Sequence, residues 1–288
     1  MNLKKSWMLM FCLLLTASLQ HLSAQDLPKS LLWKIEGNGI QPSYLYGTFH
    51  ILPESEFDMK DKVKNAFSAT EQLVMELDMD DPGMQTEMMK NLKMKDETTL
   101  KSLVSERDFA LLDSVMSSTV GAGAMAFNQA KPFVITSMLL GRFIEGKTAS
   151  FERSFTEMAT VDEKVILGLE SVTEQMSIFD QIPYQEQAND LTDMLRNEGQ
   201  YREMFADMIK LYQAEDVTAL FELTDQYMEG EGERELMLDQ RNRNWIPKIG
   251  EMAKDKATFF GVGAAHLGGE AGVLTLLKEA GYQVSPVQ

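Results

Sequence analysis

Cysteine and histidine are both scarce in this chain. Its 288 residues include one cysteine, Cys12, and three histidines. Cys12 falls in an N-terminal segment that we expect to be removed, so the mature chain should have neither a disulfide nor a cysteine nucleophile. The hydrophobic core must then stabilise the fold by itself, and a chain of this length can bury enough apolar surface to do so.

Apolar stretches long enough to span a bilayer are also missing from the sequence. The stretch from Trp7 to about Leu19 follows Lys4 and Lys5, but a spanning helix needs about 20 apolar residues. With the small residues Ser23-Ala24 after it, this stretch predicts a secretory signal peptide at residues 1–24, cleaved after Ala24. We therefore expect export to the periplasm or the cell exterior, with no stable membrane span after cleavage.

Positive charge is in deficit. Lys and Arg number 27 against 44 Asp and Glu, which gives a formal net charge of −17. Such acidity disfavours nucleic acid and anionic lipid as partners and is compatible with cation binding. Because the acidic residues are spread along the chain, solubility alone is a sufficient alternative explanation.

The pattern of apolar residues predicts an α/β fold. We expect a central mixed sheet built from strand-rich N- and C-terminal ends, with a long helical insertion between them, in a single domain at residues 25–288. The turn residues Gly37-Asn38-Gly39 predict an antiparallel hairpin. Strands are predicted at 31–36, 43–49, 72–78, 164–170, 257–261 and 282–284, and helices at 60–69, about 81–160, 183–256 and 269–280.

Two stripes of apolar residues in the second helical stretch keep a helical period. Soft methionine-rich faces can form binding grooves, but the regular spacing favours packing in the core. The stripes are Tyr201, Met204, Phe205, Met208 and Tyr212, and then Val217, Leu220, Phe221, Thr224 and Met228.

Two of the three histidines each close a Gly-x-x-His tetrapeptide after an apolar run. His50 follows Gly47, and His266 follows Gly263. Histidine is the side chain best suited to bind a metal or move protons near neutral pH. A hydrogen-bonded structural role is the alternative for each histidine.

Two acids also stand at the ends of predicted strands, at Glu76 and Glu170. Ligands of α/β sheets collect at the carboxyl ends of strands, and two imidazoles with two carboxylates suit a zinc, manganese or cobalt ion. As alternatives, Glu76 could face solvent, and Glu170 could cap the helix that follows it.

Other catalytic patterns have little support. The segment Gly261-Val-Gly263 resembles the start of a dinucleotide fingerprint, but His266 replaces the third glycine and too few residues follow. The sequence contains no Gly-x-Ser-x-Gly elbow and no His-Glu-x-x-His helix. Gly268 and Gly269 are predicted to open a helix whose free amides could bind an anion near His266.

Several segments together resemble the TraB/GumN family over nearly the whole mature chain. These segments are Tyr44-Leu-Tyr-Gly-Thr-Phe-His50, Gly168-Leu-Glu170 with Glu174-Gln175, Arg241-Asn242 with Trp245, and Gly261-Val-Gly-Ala-Ala-His-Leu-Gly-Gly269 with Gly272, Leu276-Leu277 and Gly281-Tyr282. The family is related to the Tiki metalloproteases, which act on secreted signalling proteins, and to an erythromycin-esterase and ChaN-like haem-binding group.

The resemblance implies that both Gly-x-x-His segments and the acids converge on one site, with Arg241 as a further polar member. For Arg241 the alternative is a solvated helix face. We predict a metal-dependent, peptidase-like hydrolase acting on a peptide or a small molecule. His50 and His266 would bind the ion, either Glu170 or Glu76 would be the third ligand, and the other carboxylate would be the general base. Arg241 would stabilise negative charge. A non-catalytic protein binding haem, a metal or a small ligand, and a metal-free esterase with histidine as base, are the alternatives.

Overall fold

The computed structural model describes residues 27–228 and 231–288. The signal peptide expected at residues 1–24 lies outside the described residues. It stays a prediction, as does the assignment of residues 25–288 to one domain.

The described residues form eight strands, six of them in one sheet. The strands are β1 (Leu32–Glu36), β2 (Ser43–Thr48), β3 (Leu52–Pro53), β4 (Gln72–Met75), β5 (Thr148–Ala149), β6 (Val165–Gly168), β7 (Thr258–Gly263) and β8 (Gln283–Pro286). The six-stranded sheet has the order β6-β4-β7-β2-β1-β8, and β3 pairs only with β5.

The large sheet is mixed, as predicted. β1 runs antiparallel to β2 and β8, whereas β2, β7, β4 and β6 are parallel neighbours. The hairpin between β1 and β2 turns through Gly37, Asn38 and Gly39, all with positive φ, a conformation that glycine and asparagine tolerate best. Tyr44 pairs with Phe259 and Thr48 with Gly263, so the two ends of the chain meet in the centre of the sheet.

Helices occupy most of the remaining described chain. They are α1 (Asp61–Ser68), α2 (Met84–Asn91), α3 (Leu100–Leu103), α4 (Glu106–Thr119), α5 (Pro132–Leu139), α6 (Phe151–Val161), α7 (Val172–Phe179), α8 (Tyr184–Arg196), α9 (Glu198–Gln213), α10 (Val217–Gln226), α11 (Glu231–Arg234), α12 (Gln240–Asp255) and α13 (Val273–Glu279). A π-helical turn, Glu235–Asp239, joins α11 to α12. Among the described residues, no helix combines the length and apolarity needed to cross a bilayer.

Two hydrophobic clusters form the core. The first surrounds the sheet, where every residue of β4 and β7 is buried, as expected for parallel strands covered by helices on both faces. The second lies between α4, α5, α8 and α9, and Met208 contacts both clusters. The predicted helical insertion therefore has a core of its own.

Two local features differ from the predictions. The β3–β5 ladder was not expected, because strands of two residues leave no alternation to read. The last helix begins at Val273 instead of Gly269. Gly269 has φ +86° and, with Gly268, packs against the ring of Phe221. The predicted anion site on a helix opened by these glycines is therefore wrong.

Candidate functional site

The polar site lies at the carboxyl ends of the four parallel strands. His50 comes two residues after β2, Glu76 directly after β4, Glu170 two residues after β6 and His266 three residues after β7. Because parallel strands end at the same edge of a sheet, these side chains lie beside one cleft, although Glu170 does not line it and contacts the lining residue Arg241 instead. The cleft is a cavity of about 650 Å³, which His50, Glu76 and His266 all line.

Arg241 of α12 is buried at the centre of this group. Its Nη2 atom donates to Glu76 Oε2 at 2.6 Å and to Glu170 Oε1 at 2.5 Å, and Nε lies 3.2 Å from both Glu170 oxygens. Nη1 faces the Met237 carbonyl oxygen and His266 Nε2, each at 3.0 Å. The solvated-face alternative for Arg241 is therefore wrong. Its predicted role towards a substrate stays a prediction, since all of its nitrogens already have partners.

The two carboxylates have different surroundings. Glu76 Oε1 accepts the backbone N–H of Gly263 at 2.8 Å. Burial raises the pKa of Glu76, but the charges of Arg241 and of protonated His50, together with the hydrogen bond from Gly263, outweigh it and hold that pKa well below its usual range. Glu170 instead accepts from Gln175 at 3.1 Å and from the Trp245 indole at 3.3 Å, in addition to Arg241. Neither acid faces open solvent, and Ser171 rather than Glu170 caps the helix that follows.

His266 is buried and oriented by Asn242. The Asn242 amide nitrogen donates to the carbonyl oxygens of His266 and Ala271, at 3.3 and 2.9 Å. Asn242 Oδ1 therefore points at His266 Nδ1, 2.6 Å away, and accepts a hydrogen bond from its N–H. Burial and the charge of Arg241 lower the pKa of His266 to about 3. This imidazole is neutral, with the lone pair on Nε2.

His50 has the opposite electrostatic environment. Its side chain is 66% exposed at the cavity, and Nδ1 lies 2.8 Å from Glu152 Oε1. Desolvation lowers the pKa of His50, but the hydrogen bond and charge of Glu152 outweigh it and raise that pKa to about 9. Burial raises the pKa of Glu152, but the hydrogen bond and the charge of His50 outweigh burial and lower that pKa to about 2.

The two motif glycines have different functions. A Cβ atom at Gly263 would lie 3.3 Å from Glu76 Oε1, 3.5 Å from His50 Nε2 and 3.6 Å from His266 Cδ2. Gly263 thus marks the point around which both histidines converge. A Cβ atom at Gly47 would lie 2.7 Å from Leu267 Cδ1 and 3.1 Å from the Ala264 Cα. Gly47 therefore lets the two Gly-x-x-His segments approach each other.

The donor atoms decide how a divalent ion would fit. Across the described chain, no three His, Cys, Asp or Glu side chains stand close enough together to hold an ion. The oxygens of Glu170 are engaged by Arg241, Gln175 and Trp245. Glu76 Oε1 lies 3.8 Å from His266 Nε2, and Glu76 Oε1 and His50 Nε2 both lie beside Gly263. Nε2 of His266 faces Nη1 of Arg241 at 3.0 Å, so its lone pair is already engaged. The predicted ligand set of His50, His266 and Glu170 stays a prediction.

Apolar side chains form the opposite wall of the cavity. Members of both methionine-containing stripes reach this wall, while other members of the same stripes pack in the two hydrophobic clusters as predicted. The wall consists of Met79, Met84, Phe133, Leu140, Ile178, Phe179, Phe205, Met208, Leu220, Met228, Met237 and Leu238.

Four polar neighbours of the site were not predicted as functional residues. Gln175, Asn242 and Trp245 stand in segments that carry the family resemblance, and that signal could have singled them out. Glu152 had no such signal, because an acid in the first turn of a helix is common for reasons of helix stability alone.

Comparison with known proteins agrees with the resemblance. The sequence profile described as the TraB/PrgY/gumN family matches residues 31–286. The chain therefore belongs to the TraB/PrgY/gumN family. No curated protein and no solved structure matches it.

Proposed function

We propose that this TraB/PrgY/gumN protein is a metal-dependent, peptidase-like hydrolase that is exported from the cytoplasm. One observation carries the proposal. The two imidazoles of the Gly-x-x-His segments are held through Nδ1, by Glu152 and Asn242, so that His266 Nε2 lies 3.8 Å from Glu76 Oε1 and His50 Nε2 lies beside Gly263 with that same oxygen. Metal-binding histidines in proteins usually have this arrangement, with Nδ1–H bonded to a carboxylate or carbonyl oxygen.

His50 and His266 would hold the ion, with Glu76 as the favoured third ligand. The low pKa of Glu76 makes it a poor proton acceptor and a suitable anionic ligand. A bound manganese, cobalt or zinc ion would supply Lewis acidity that makes water nucleophilic near neutral pH. Glu170 would then be the carboxylate of the site that is not a ligand. It holds Arg241 in place by accepting from Nε and Nη2 of the guanidinium.

Arg241 would act on negative charge that develops on the substrate. Its guanidinium is buried between the two carboxylates and His266. Movement of Nη1 away from His266 would free both the His266 lone pair and an N–H donor. The apolar wall opposite these groups suits a substrate with an apolar side chain or tail next to the cleaved bond.

Metal analysis of the purified protein tests the proposal. We expect near-stoichiometric divalent metal in the wild type after supplementation, and its loss in His50→Ala and His266→Ala. Hydrolysis of a library of quenched-fluorescence peptides should stop on chelation and return with manganese, cobalt or zinc. A wild type that stays metal-free and cleaves no peptide would contradict the proposal. N-terminal sequencing of the secreted chain tests cleavage after Ala24.

A metal-free esterase is the second candidate. It is favoured by the two histidines having pKa values pushed in opposite directions, the pattern of an acid and a base that work together. Hydrolysis of model esters that survives chelation and requires both histidines would support it. Haem capture, a third possibility, would produce a Soret band that depends on either histidine, without hydrolysis.

A further inference from the structure

Glu152 lies outside both Gly-x-x-His segments, yet it contacts the more exposed histidine directly. It is in the first turn of α6, more than 100 residues from His50 along the chain. Its Oε1 atom lies 2.8 Å from His50 Nδ1, and its side chain is only 17% exposed. A carboxylate this well buried next to a site histidine needs an explanation beyond helix stability.

The β3–β5 ladder brings the two residues together. Leu52 pairs with Ala149 and Pro53 with Thr148, and the Glu54 amide donates to the Lys147 carbonyl oxygen at 2.8 Å. β3 begins two residues after His50, and β5 ends three residues before Glu152. The ladder therefore sets the separation of the two backbones on which these side chains stand.

The second oxygen of Glu152 is held as well. Ser150 Oγ donates to Glu152 Oε2 at 2.7 Å, and Ser150 is also the N-cap of α6. With both oxygens bonded, the carboxylate cannot rotate freely. An ionised carboxylate only accepts hydrogen bonds, so Nδ1 of His50 must be the donor.

We propose that Glu152, held by the β3–β5 ladder and Ser150, is the positioning residue that directs His50 Nε2 towards Gly263, Glu76 and His266. The orientation would serve metal binding, and in that respect the inference rests on the proposed function. Asn242 does the same for His266 through a neutral amide. Each half of the site thus takes its histidine from the sheet and its positioning residue from a helix.

Cobalt binding measured by visible absorption provides the first test. We expect Glu152→Ala to weaken cobalt affinity about 10- to 100-fold, the usual effect of removing a residue that orients a metal-binding histidine. Glu152→Gln should retain part of the affinity, because its amide oxygen can still accept from Nδ1. The matched control is Glu157→Ala on the same helix, where the acid is 65% exposed and forms an ion pair with Arg153. It should bind cobalt as the wild type does.

A second test reads the orientation of His50 without metal. Nitrogen-15 NMR of the metal-free protein should show a Nδ1–H proton of His50 that is protected from exchange with water. That signal should be lost in Glu152→Ala and unchanged in Glu157→Ala. His266, held by Asn242, supplies the internal reference, and its Nδ1–H signal should persist in both variants.

The outcomes separate this inference from the proposed function. A wild type that binds no cobalt would contradict the metal part of the proposed function, while the Nδ1–H signal would still decide the role of Glu152. Glu152→Ala with wild-type cobalt affinity and a retained His50 Nδ1–H signal would overturn the inference. Thermal unfolding of each variant shows whether it is folded, and if Glu152→Ala is not, Glu152→Gln carries the comparison.

Discussion

The two Gly-x-x-His segments have the same spacing and follow neighbouring parallel strands, but their histidines have different surroundings. His266 is buried against Arg241 and a neutral amide, and its pKa falls to about 3. His50 is exposed at the cavity beside a carboxylate, and its pKa rises to about 9. The chemistry of each histidine therefore depends on the residues that the helices bring to it, more than on the tetrapeptide that carries it.

The largest effect on stability is expected from a substitution of Arg241, which contacts His266. Arg241→Met leaves Glu76 and Glu170 buried without the guanidinium that pairs with both, so we expect a loss of about 3 to 5 kcal/mol in the free energy of unfolding. Urea denaturation of the metal-free protein measures it. The control is Arg243→Met on the same helix, where an exposed ion pair with Glu235 should contribute less than about 1 kcal/mol.

The same denaturation experiment can be repeated with a divalent metal ion. An ion that binds the folded state stabilises it by mass action, so manganese or cobalt should restore part of the stability of Arg241→Met. A variant as stable as the wild type without metal would contradict the role of Arg241 as the countercharge.

Asn242 tests the orientation of His266. Asn242→Ala leaves the carbonyl oxygens of His266 and Ala271 and the His266 Nδ1–H without this partner. We expect a loss of about 2 kcal/mol, because unsatisfied buried polar groups are costly. Asn244→Ala, at an exposed position on the same helix, is the control for urea denaturation. Equal losses in the two variants would show that the Asn242 contacts do not stabilise the fold.

Substitutions of the two motif glycines, Gly47 and Gly263, should separate effects on stability from effects on metal binding and hydrolysis. Gly47→Ala places a methyl group against Leu267 and the Ala264 backbone, and we expect it to cost about 1 to 2 kcal/mol through overpacking. Gly263→Ala places the methyl group between His50 and Glu76. It should change stability less and reduce cobalt binding and hydrolysis more. The reverse ranking in urea and cobalt titrations would contradict the assignment.

The last comparison concerns the pH dependence of stability. In the metal-free protein, the raised pKa of His50 stabilises the fold fully below its ordinary value of 6.5, and this contribution is lost as the pH rises through about 9. The lowered pKa of His266 contributes fully above 6.5 and is lost as the pH falls through about 3. NMR titration of the two imidazoles should give midpoints on opposite sides of 6.5. Two midpoints near 6.5 would show that His50 and His266 do not differ in their electrostatic surroundings.

Much of the fold could be predicted because its signals are local. Each predicted strand of the large sheet coincides with an observed strand, and the Gly37-Asn38-Gly39 turn connects β1 and β2 as expected. The start of α13 was misplaced because Gly268 and Gly269 looked like helix N-terminal residues, whereas their lack of side chains makes room for Phe221. Tertiary packing in this case overrode the local pattern.

The amino-acid sequence by itself determined which residues stand at the strand ends, because alternation and glycine placement act over a few residues. Only the tertiary structure decided that Arg241 would lie between Glu76 and Glu170, and that Glu152 and Asn242 would each accept a hydrogen bond from one histidine. These contacts join residues 24 to 165 positions apart. Hydrogen bonds and charge pairs at such separations depend on how the helices pack on the sheet, and no periodicity in the sequence encodes that packing.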